Sequence, residues 1–280
     1  MVSFIIPTFN RPNFLVTAIE SAIQQTFKCE IIVCDHGSDS STRKVVENYI
    51  DRVKYIRRDI DYGVHFLWLD AIMQSSNDFI HINFDDDWSD LSFIADALKL
   101  LKDDVGYVFT GNNLFYEDTQ KFVPYSNVLP LQSGLINSSL IEKYIVGGSL
   151  FISPGSCLLR KQEMLNSIFL GKIPFCSNYY KGVGVDLLFT LDPLNNFKKV
   201  GFIDKGLVTF RVHTSSITVD ANKSEANRKN ILRAYNDARK FYLAKKYLSR
   251  VFPSNAFYIF YKYFICFPIK FKLRYYQNKH

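Results

Sequence analysis

Three consecutive carboxylates, Asp85, Asp86 and Asp87, directly follow the apolar run DFIHINF. Like charges about 4 Å apart repel by about 4 kcal/mol at an effective dielectric constant of about 20, so such a cluster needs a physical reason. One reason is a solvated turn in which Asp90 caps the following helix. The other is a divalent cation, because hard cations prefer oxygen ligands and substrate phosphates. An EF-hand is disfavoured, since the loop lacks the central Gly and the final Glu of that motif.

The elements that position the triplet follow from the apolar pattern of segment 1–110. Five apolar runs, VSFII, EIIVC, VKYI, DFIHINF and VGYVFTG, predict strands, and segments of helical periodicity separate them. This alternation predicts an α/β fold with a mostly parallel sheet and helices on both faces. Ligands of such sheets bind beyond the carboxyl ends of the strands. The polar segments PTFNR, DHGSDSS and DDDW stand at those ends, so we expect the site there.

Three segments resemble, in order, the signatures of glycosyltransferase family 2, whose fold is called GT-A. They are VSFIIPTFNRPNFLVTAIESAIQQTF, EIIVCDHGSDSST and FIHINFDDDW, all within segment 1–100. The resemblance implies that Pro7, Thr8, Asn10 and Arg11 line a nucleotide pocket. It also implies that Asp35 accepts a hydrogen bond from the nucleobase.

The acidic triplet is similar to the Asp-x-Asp motif of this family, which implies a divalent metal, Mn²⁺ or Mg²⁺, on the donor diphosphate. Asp85 and Asp87 satisfy the pattern directly. Alignment through WSDLSF instead makes Asp86 and Asp87 the paired acids and places Phe84 at the first acidic position. We therefore expect all three acids to serve the metal, and Asp85 and Asp86 to serve the nucleotide as well.

Two positions depart from the family pattern near the expected nucleobase. The second strand is often followed by two acids, and here the second is His36. The helix after Gly63 often carries an Arg-Asn pair, and here Trp68 and Leu69 stand there. The identity of the nucleotide therefore stays open at this point.

Three segments of the second half resemble further parts of the family. ISPGSCLLRK predicts a turn and a strand and looks like the acceptor-side segment. KGVGVDLLFTLDPL places Asp186 at a helix start, where the family has its general base, although a helix cap would explain the same position. FRVHTSSIT ends a strand at His213, which similar enzymes use as a further metal ligand, although a lone His is more often a packed residue.

Together these residues predict an inverting, metal-dependent glycosyltransferase that moves a hexose from a nucleoside-diphosphate sugar. Asp186 would take the proton of the acceptor hydroxyl, and the metal would offset charge on the leaving diphosphate. Both must face one sugar, so we expect one catalytic domain over 1–227, with a nucleotide-binding half (1–110) and an acceptor-side half (111–227). A UDP-sugar is the donor that the family favours, and dTDP-rhamnose stays open.

Two other classes of function fit the same sequence less well. A nucleotidyltransferase on a similar sheet would need a Gly-rich basic first loop, and PTFNRPN has no Gly. A non-catalytic module that binds a sugar nucleotide or nucleic acid is the other alternative.

The C-terminal residues 228–280 form a basic, aromatic segment. They hold 13 Lys and Arg and one acid, Asp237, whereas the rest of the chain is mildly acidic. KNILRAYNDARKFYLAKKYL predicts a helix, and ten aromatic residues follow Pro253. Lys262 and Pro268 interrupt the apolar run, which argues against a membrane span and for attachment to an anionic membrane surface. A helix packed on the catalytic domain is the alternative, and nucleic-acid binding is disfavoured because no binding motif is present.

The remaining features predict location and acceptor. Five scattered Cys without a Cys-x-x-Cys pair indicate reduced thiols, and VSFIIPTFN is too short for a signal peptide. We therefore expect a cytoplasmic protein, peripheral on the inner face of the cell membrane. SPGSCLLR, GVGVDLL and FRVHTSSIT resemble bacterial surface-polysaccharide enzymes, which implies a lipid-linked saccharide acceptor.

Overall fold

The computed structural model describes residues 1–127, 130–173, 182–216, 219 and 223–251, with side chains to Tyr247. Ten strands of this part of the chain form one sheet. They are β1 (Val2–Thr8), β2 (Glu30–His36), β3 (Lys54–Arg58), β4 (Phe79–Ile82), β5 (Trp88–Ser89), β6 (Val105–Tyr116), β7 (Lys121–Val123), β8 (Gly134–Asn137), β9 (Cys157–Arg160) and β10 (Lys199–Val212).

Helices lie on both faces of the sheet. They are α1 (Pro12–Ile23), α2 (Ser40–Glu47), α3 (Val64–Gln74), α4 (Phe93–Leu100), α5 (Ser138–Val146), α6 (Lys161–Ser167), α7 (Val185–Leu191), α8 (Pro193–Asn196) and α9 (Glu225–Val251). A short 3-10 helix, Pro154–Ser156, precedes β9. The four helices and five strands predicted in segment 1–110 are all present.

The strand order is β3-β2-β1-β4-β9-β6-β10-β5, with β7 beside β6 and β8 beside β10. The first four strands are parallel, as the βαβ pattern predicted. Beyond β4 the sheet is mixed, since β9 runs antiparallel to both β4 and β6 while β6 and β10 are parallel. The hairpin from β6 to β7 is antiparallel because a short turn reverses the chain. The predicted sheet was mostly parallel, and that description fits its nucleotide-binding half.

Side chains that alternate between the two faces of the central strands form two apolar layers. Phe4 and Ile6 of β1 pack with α1 and α4 on one face, and Ile5 packs with α3 on the other. Successive side chains of a strand point to opposite faces, so one buried strand supplies both cores. The layer that contains Ile5 also receives α7 and α9 through Phe189 and Phe241.

Helix α9 packs on the body of the protein. Ala238, Phe241 and Tyr242 are buried, and the Phe241 ring lies 5.1 Å from that of Phe169. Lys245 forms an ion pair with Asp192 at 2.7 Å. The predicted division at residue 228 falls inside this helix. Of the segment predicted to bind membrane, 228–280, the first part therefore lies in a helix that packs on the core, and residues 252–280 lie outside the described residues. Within the described part, no helix has the length and apolarity needed to cross a membrane.

Candidate active site

The acidic triplet lies in the turn between β4 and β5, at the carboxyl end of the parallel strands. The Asn83 amide donates to the carbonyls of Phe84 and Asp87, both at 2.9 Å, and so closes this turn. Asp85 and Asp87 are only 5% and 7% exposed. The solvated-turn interpretation therefore fails, because two of the three carboxylates are withdrawn from water.

Arg11 lies against the triplet from the loop after β1. Its Nη1 atom lies 3.1 Å from Asp85 Oδ1 and 2.6 Å from Asp86 Oδ2. The Thr8 hydroxyl and the Phe9 N–H donate to Asp85 Oδ2 at 2.9 and 3.3 Å. Strands β1 and β4 are neighbours in register, so the loops that follow them must meet. The structure thus brings together the predicted residues Thr8, Arg11, Asp85 and Asp86.

The end of β10 closes the cluster from the other side. His213 Nε2 lies 2.9 Å from Asp86 Oδ2, and His213 Nδ1 lies 2.8 Å from the Ser215 hydroxyl. The Arg211 N–H donates to Asp87 Oδ1 at 2.9 Å, and its side-chain Nε donates to the Asp86 carbonyl at 3.0 Å. His213 therefore shares the Asp86 carboxylate with Arg11.

Arg211 was not singled out from the sequence, and it anchors the turn. Its guanidinium lies over the rings of Phe14, Trp88 and Phe115, at 4.9, 5.0 and 5.5 Å from their centroids, and pairs with Glu117. Cation–π contacts of a desolvated guanidinium are worth up to about 2 kcal/mol. The sequence could have pointed to Arg211 through its spacing from His213, because residues two positions apart on a strand lie on the same face.

The cluster is short of positive charge. Burial and the neighbouring charge of Asp86 raise the pKa of Asp85 to about 6. The same causes raise the pKa of Asp87 well above its ordinary value. Arg211 is already paired with Glu117, so within the described residues Arg11 is the guanidinium that balances the carboxylate side chains. Carboxylate oxygens with one imidazole are ligands that suit Mn²⁺ and Mg²⁺, so the donor set fits a divalent cation.

The loop after β1 also meets the loop after β2. The Asn10 N–H donates to Ser38 Oγ at 2.9 Å, and the Ser38 N–H donates to Asp35 Oδ1 at 3.2 Å. Asn10 has φ +54° and its side-chain oxygen accepts from the Asp39 N–H at 2.9 Å. Pro7 is buried in β1 opposite Cys34 of β2. The residues predicted to bind the nucleotide therefore form one continuous edge.

Asp35 is wholly buried at this edge, and its carboxylate already has partners. Besides Ser38, the Tyr55 hydroxyl and Arg57 Nη1 donate to Asp35 Oδ2 at 2.7 and 2.9 Å. The Arg57 side chain is 27% exposed and Tyr55 is half-buried, so both partners of Asp35 reach the solvent side. Tyr55 and Arg57 were not predicted as site residues. They are two positions apart on β3, so the sequence pattern alone could have placed them on the same face of that strand.

The two departures from the family pattern have structural roles. His36 Nε2 lies 3.2 Å from Asp70 Oδ2, and Arg58 Nε donates to the same oxygen at 2.7 Å, which ties the end of β2 to α3. Cys34, His36 and Asp70 bring their ligand-type atoms within 4.8 Å of one another, but Arg58 already balances the carboxylate. Trp68 is a core residue at 6% exposure.

Asp186 lies in the first turn of α7, as predicted. Its Oδ1 accepts from the Gly184 N–H at 2.9 Å and its Oδ2 from the Tyr235 hydroxyl of α9 at 3.3 Å. Burial raises the pKa of this carboxyl above its ordinary value. Gly184 has φ +106°, and a Cβ there would lie 3.0 Å from the Ala234 carbonyl, so only Gly allows this close approach.

An aromatic contact chain links Asp186 with the acidic triplet. The Trp68 ring lies 6.1 Å from that of Phe84, which precedes Asp85, and 5.8 Å from that of Phe189, one turn after Asp186. Asp186 and the acidic triplet therefore lie on elements that both pack against Trp68. Tyr235 was not singled out from the sequence as a site residue.

Comparison with known proteins decides the family. The sequence model of Glycosyl transferase family 2 matches residues 3–169, more than half of the chain. The chain belongs to this family. It is therefore a glycosyltransferase, and the alternatives of a nucleotidyltransferase and a non-catalytic binding module are set aside.

One curated relative is a Campylobacter jejuni protein named GalNAc(5)-diNAcBac-PP-undecaprenol beta-1,3-glucosyltransferase. It is 35% identical over 123 residues, which are 41% of this chain and 38% of the relative. Matched segments span 27% and 38% of the length of two such curated relatives. The relative's substrates are therefore not transferred to this family 2 chain by similarity alone.

Solved structures confirm the predicted α/β, GT-A-type fold. S. aureus TarS 1-349 in complex with UDP-GlcNAc matches with a TM-score of 0.60 at 17% identity, covering 85% of this chain and 72% of that one. The mannosyltransferase PcManGT from Pyrobaculum calidifontis, in complex with GDP-Man and Mn²⁺, matches with a TM-score of 0.52 at 14% identity, covering 92% and 77%. At these identities the likeness supports the fold and leaves donor and metal to be argued from the site.

Proposed function

We propose that this family 2 glycosyltransferase moves a hexose, with inversion, from a UDP-sugar to a lipid-linked oligosaccharide. The acceptor belongs to bacterial surface-polysaccharide synthesis. The transfer depends on Mn²⁺ or Mg²⁺ held by Asp85, Asp86, Asp87 and His213. The observation that carries the proposal is the buried, undercompensated carboxylate cluster at the carboxyl ends of β1, β4 and β10.

Arg11 has two tasks in this proposal. Without a metal it balances Asp85 and Asp86 through Nη1. With a divalent cation held by the same carboxylates, Arg11 would no longer be needed to balance them, because two positive groups repel at that distance. Its guanidinium would then be able to bind a diphosphate oxygen, for which its planar fork is suited. The bound metal supplies Lewis-acid stabilisation of the leaving diphosphate.

The donor nucleotide would lie along the edge formed by Pro7, Thr8, Asn10, Arg11 and Asp35. Asp35 is the acceptor proposed for the base N–H; it lies behind Tyr55 and Arg57, so Arg57, a donor that reaches solvent, would move aside to admit the base. An adjacent acceptor and donor match the N3–H and a carbonyl of uracil. UDP-GlcNAc in the complex of TarS, a structural neighbour, supports a UDP-sugar as the first choice.

Asp186 is the proposed general base. In an inverting step the acceptor hydroxyl oxygen forms a bond to the anomeric carbon while the bond from that carbon to the diphosphate oxygen breaks. The hydroxyl proton passes to the Asp186 carboxylate, and the electron pair leaves with the nucleoside diphosphate. A raised pKa suits this task, because a base works best when its pKa is near the working pH.

The acceptor and the location rest on other observations. A relative is named as acting on a diphosphate-linked undecaprenol saccharide, which supports a lipid-linked acceptor. The basic and aromatic segment 252–280 would hold the enzyme at an anionic membrane surface on the cytoplasmic side, where such a lipid is found. Binding there would raise the local concentration of the acceptor.

The test is release of nucleoside diphosphate from a panel of sugar nucleotides, with and without metal and lipid-linked acceptor. We expect release from one UDP-sugar, loss of release in excess chelator, and recovery with Mn²⁺ or Mg²⁺. Asp87→Asn should abolish release, whereas Asp51→Asn, at an exposed surface acid, should not. Full activity in chelator would refute the metal role.

Asp186→Asn separates the base from the binding site. We expect donor affinity to persist and turnover to fall by about 10²–10⁴-fold, the usual contribution of a general base. Circular dichroism would show that the variant is folded. Turnover within about threefold of the unaltered enzyme would assign the proton to another group.

A further inference from the structure

A cavity lies outside the proposed active site, between α1, the β5 turn and the middle of β10. Its volume is about 460 Å³. Its walls include Glu20 of α1, Gln24 directly after that helix, Trp88 of β5, Phe122 of β7 and Thr209 of β10. None of these residues belongs to the nucleotide edge or to the acidic triplet. A cavity of this size is large enough for a small ligand.

The lining chemistry excludes anionic ligands. Among the described residues, the walls carry two carboxylates, those of Glu20 and Asp90, and no Lys or Arg. Phosphate groups, nucleotides and anionic lipid headgroups are bound by basic side chains or by helix N-termini, and Glu20 and Gln24 come from the C-terminal end of α1. The lining therefore disfavours anionic ligands and leaves neutral or cationic ones.

The same lining suits a ligand with both apolar faces and many hydroxyl groups. Trp88 and Phe122 offer aromatic surface, and Phe122 is 51% exposed. Glu20 offers a carboxylate acceptor, and Gln24 offers an amide that both donates and accepts. Pyranose rings present C–H faces to aromatic rings and hydroxyls to such polar groups.

We propose that this cavity is a second carbohydrate site, which binds neutral saccharide units apart from the donor. Trp88 directly follows Asp87, and Thr209 stands two residues before Arg211, so the cavity begins beside the acidic turn. A glycan held there lies next to the catalytic edge without occupying the nucleotide pocket. The site goes beyond the proposed transfer reaction and does not depend on it.

Trp88 is fixed in place before any ligand binds. Its ring packs edge-on against Phe115 at 5.6 Å and lies 5.0 Å from the Arg211 guanidinium. A ring held on these sides loses little freedom on binding, which favours affinity even for a weakly held sugar.

The chain's tryptophans give a direct assay. There are two, and Trp68 is buried, so in Trp68→Phe the fluorescence comes from Trp88 alone. Neutral oligosaccharides of glucose, galactose and N-acetylglucosamine are titrated without nucleotide or metal. We expect a saturable change for at least one of them with a dissociation constant on the order of 1 mM. Saturation-transfer NMR on the unaltered protein gives the same answer if Trp68→Phe does not fold.

Glu20→Ala and Phe122→Ala should each weaken saccharide binding by about tenfold, the loss expected for one hydrogen bond to a charged group or one aromatic face. Val16→Ala, an exposed α1 position outside the cavity, is the matched control and should bind as before. Nucleoside-diphosphate release is measured in the same variants. Release without lipid acceptor should be unchanged, which separates this site from the proposed active site.

Two results would overturn the proposal. One is the absence of any saturable signal in both assays across the saccharide panel. The other is binding that Glu20→Ala and Phe122→Ala leave unaltered, which would assign the saccharide to another surface. Failure of the donor panel alone would count against the proposed reaction and not against this site.

Discussion

Tyr235→Phe is a sharp test of how α9 acts on the candidate base. The Tyr235 hydroxyl donates to Asp186 Oδ2 at 3.3 Å, which favours the ionised carboxylate. Hydrogen bonds to charged groups are worth about 1.5–3 kcal/mol, and this one is longer than usual, so we take about 1.5 kcal/mol. A shift of one pKa unit corresponds to about 1.4 kcal/mol. Removing the hydroxyl should therefore raise the pKa of Asp186, in proportion to this energy.

The sign of the kinetic effect follows from the role of the base. The ionised carboxylate accepts the proton, so a higher pKa means that less of it is ionised on the acidic side. In the pH profile of kcat/KM, the rise on the acidic side should move to a pH about one unit higher, and the maximum value should change little. The measurement is the pH dependence of nucleoside-diphosphate release in the presence of acceptor.

The substitution is conservative, and a matched control exists on the same helix. The ring of Tyr235, which packs edge-on against Phe151 at 4.9 Å, is kept in Phe. Tyr242→Phe removes hydroxyl bonds to Glu142 and Asn195 instead and should leave the limb in place. An unmoved limb in Tyr235→Phe, or an equal fall in rate at every pH, would refute the reasoning.

Three further predictions concern Arg211, Gly184 and the C-terminal segment 252–280. Arg211→Lys loses the planar stacking and one hydrogen bond, so we expect about tenfold weaker activation in a Mn²⁺ titration of activity; an unchanged titration would contradict the anchoring role. Gly184→Ala should cost about 1–3 kcal/mol in urea unfolding, because φ is +106° and the Ala234 carbonyl is close; a cost below about 0.5 kcal/mol would count against it. Deletion of 252–280 should abolish salt-sensitive binding to anionic vesicles and keep donor hydrolysis, since each basic residue near such a surface contributes about 1 kcal/mol; unchanged vesicle binding would refute the membrane role.

The nucleotide-binding half could be predicted closely from the sequence. Its strands are short, apolar and separated by amphipathic helices, so local pattern and global topology agree. The acidic triplet after DFIHINF could be placed at a strand end for the same reason. Arg11 follows β1, and adjacent parallel strands bring their loops together, so its contact with Asp85 and Asp86 was within reach of the same logic.

The acceptor-side half depends on pairings that no local pattern encodes. β9 inserts between β4 and β6 although it follows both in sequence. Arg211 contacts Asp86 and Asp87 from a strand far along the chain, and Tyr235 meets Asp186 from a helix whose composition pointed to a membrane surface. Such contacts are decided by tertiary packing, and a single sequence carries no direct record of them.

The position of β9 has a consequence for the nascent chain. The first four strands can pair as soon as they are synthesised, but one edge of β4 is completed only when Leu159 and Arg160, much later in the sequence, have been made. Until then the growing polypeptide presents an apolar strand with open backbone groups, the kind of surface that recruits wrong partners. Translation speed between β4 and β9, and the chaperones that meet the chain at the ribosome, should therefore influence the yield of active protein.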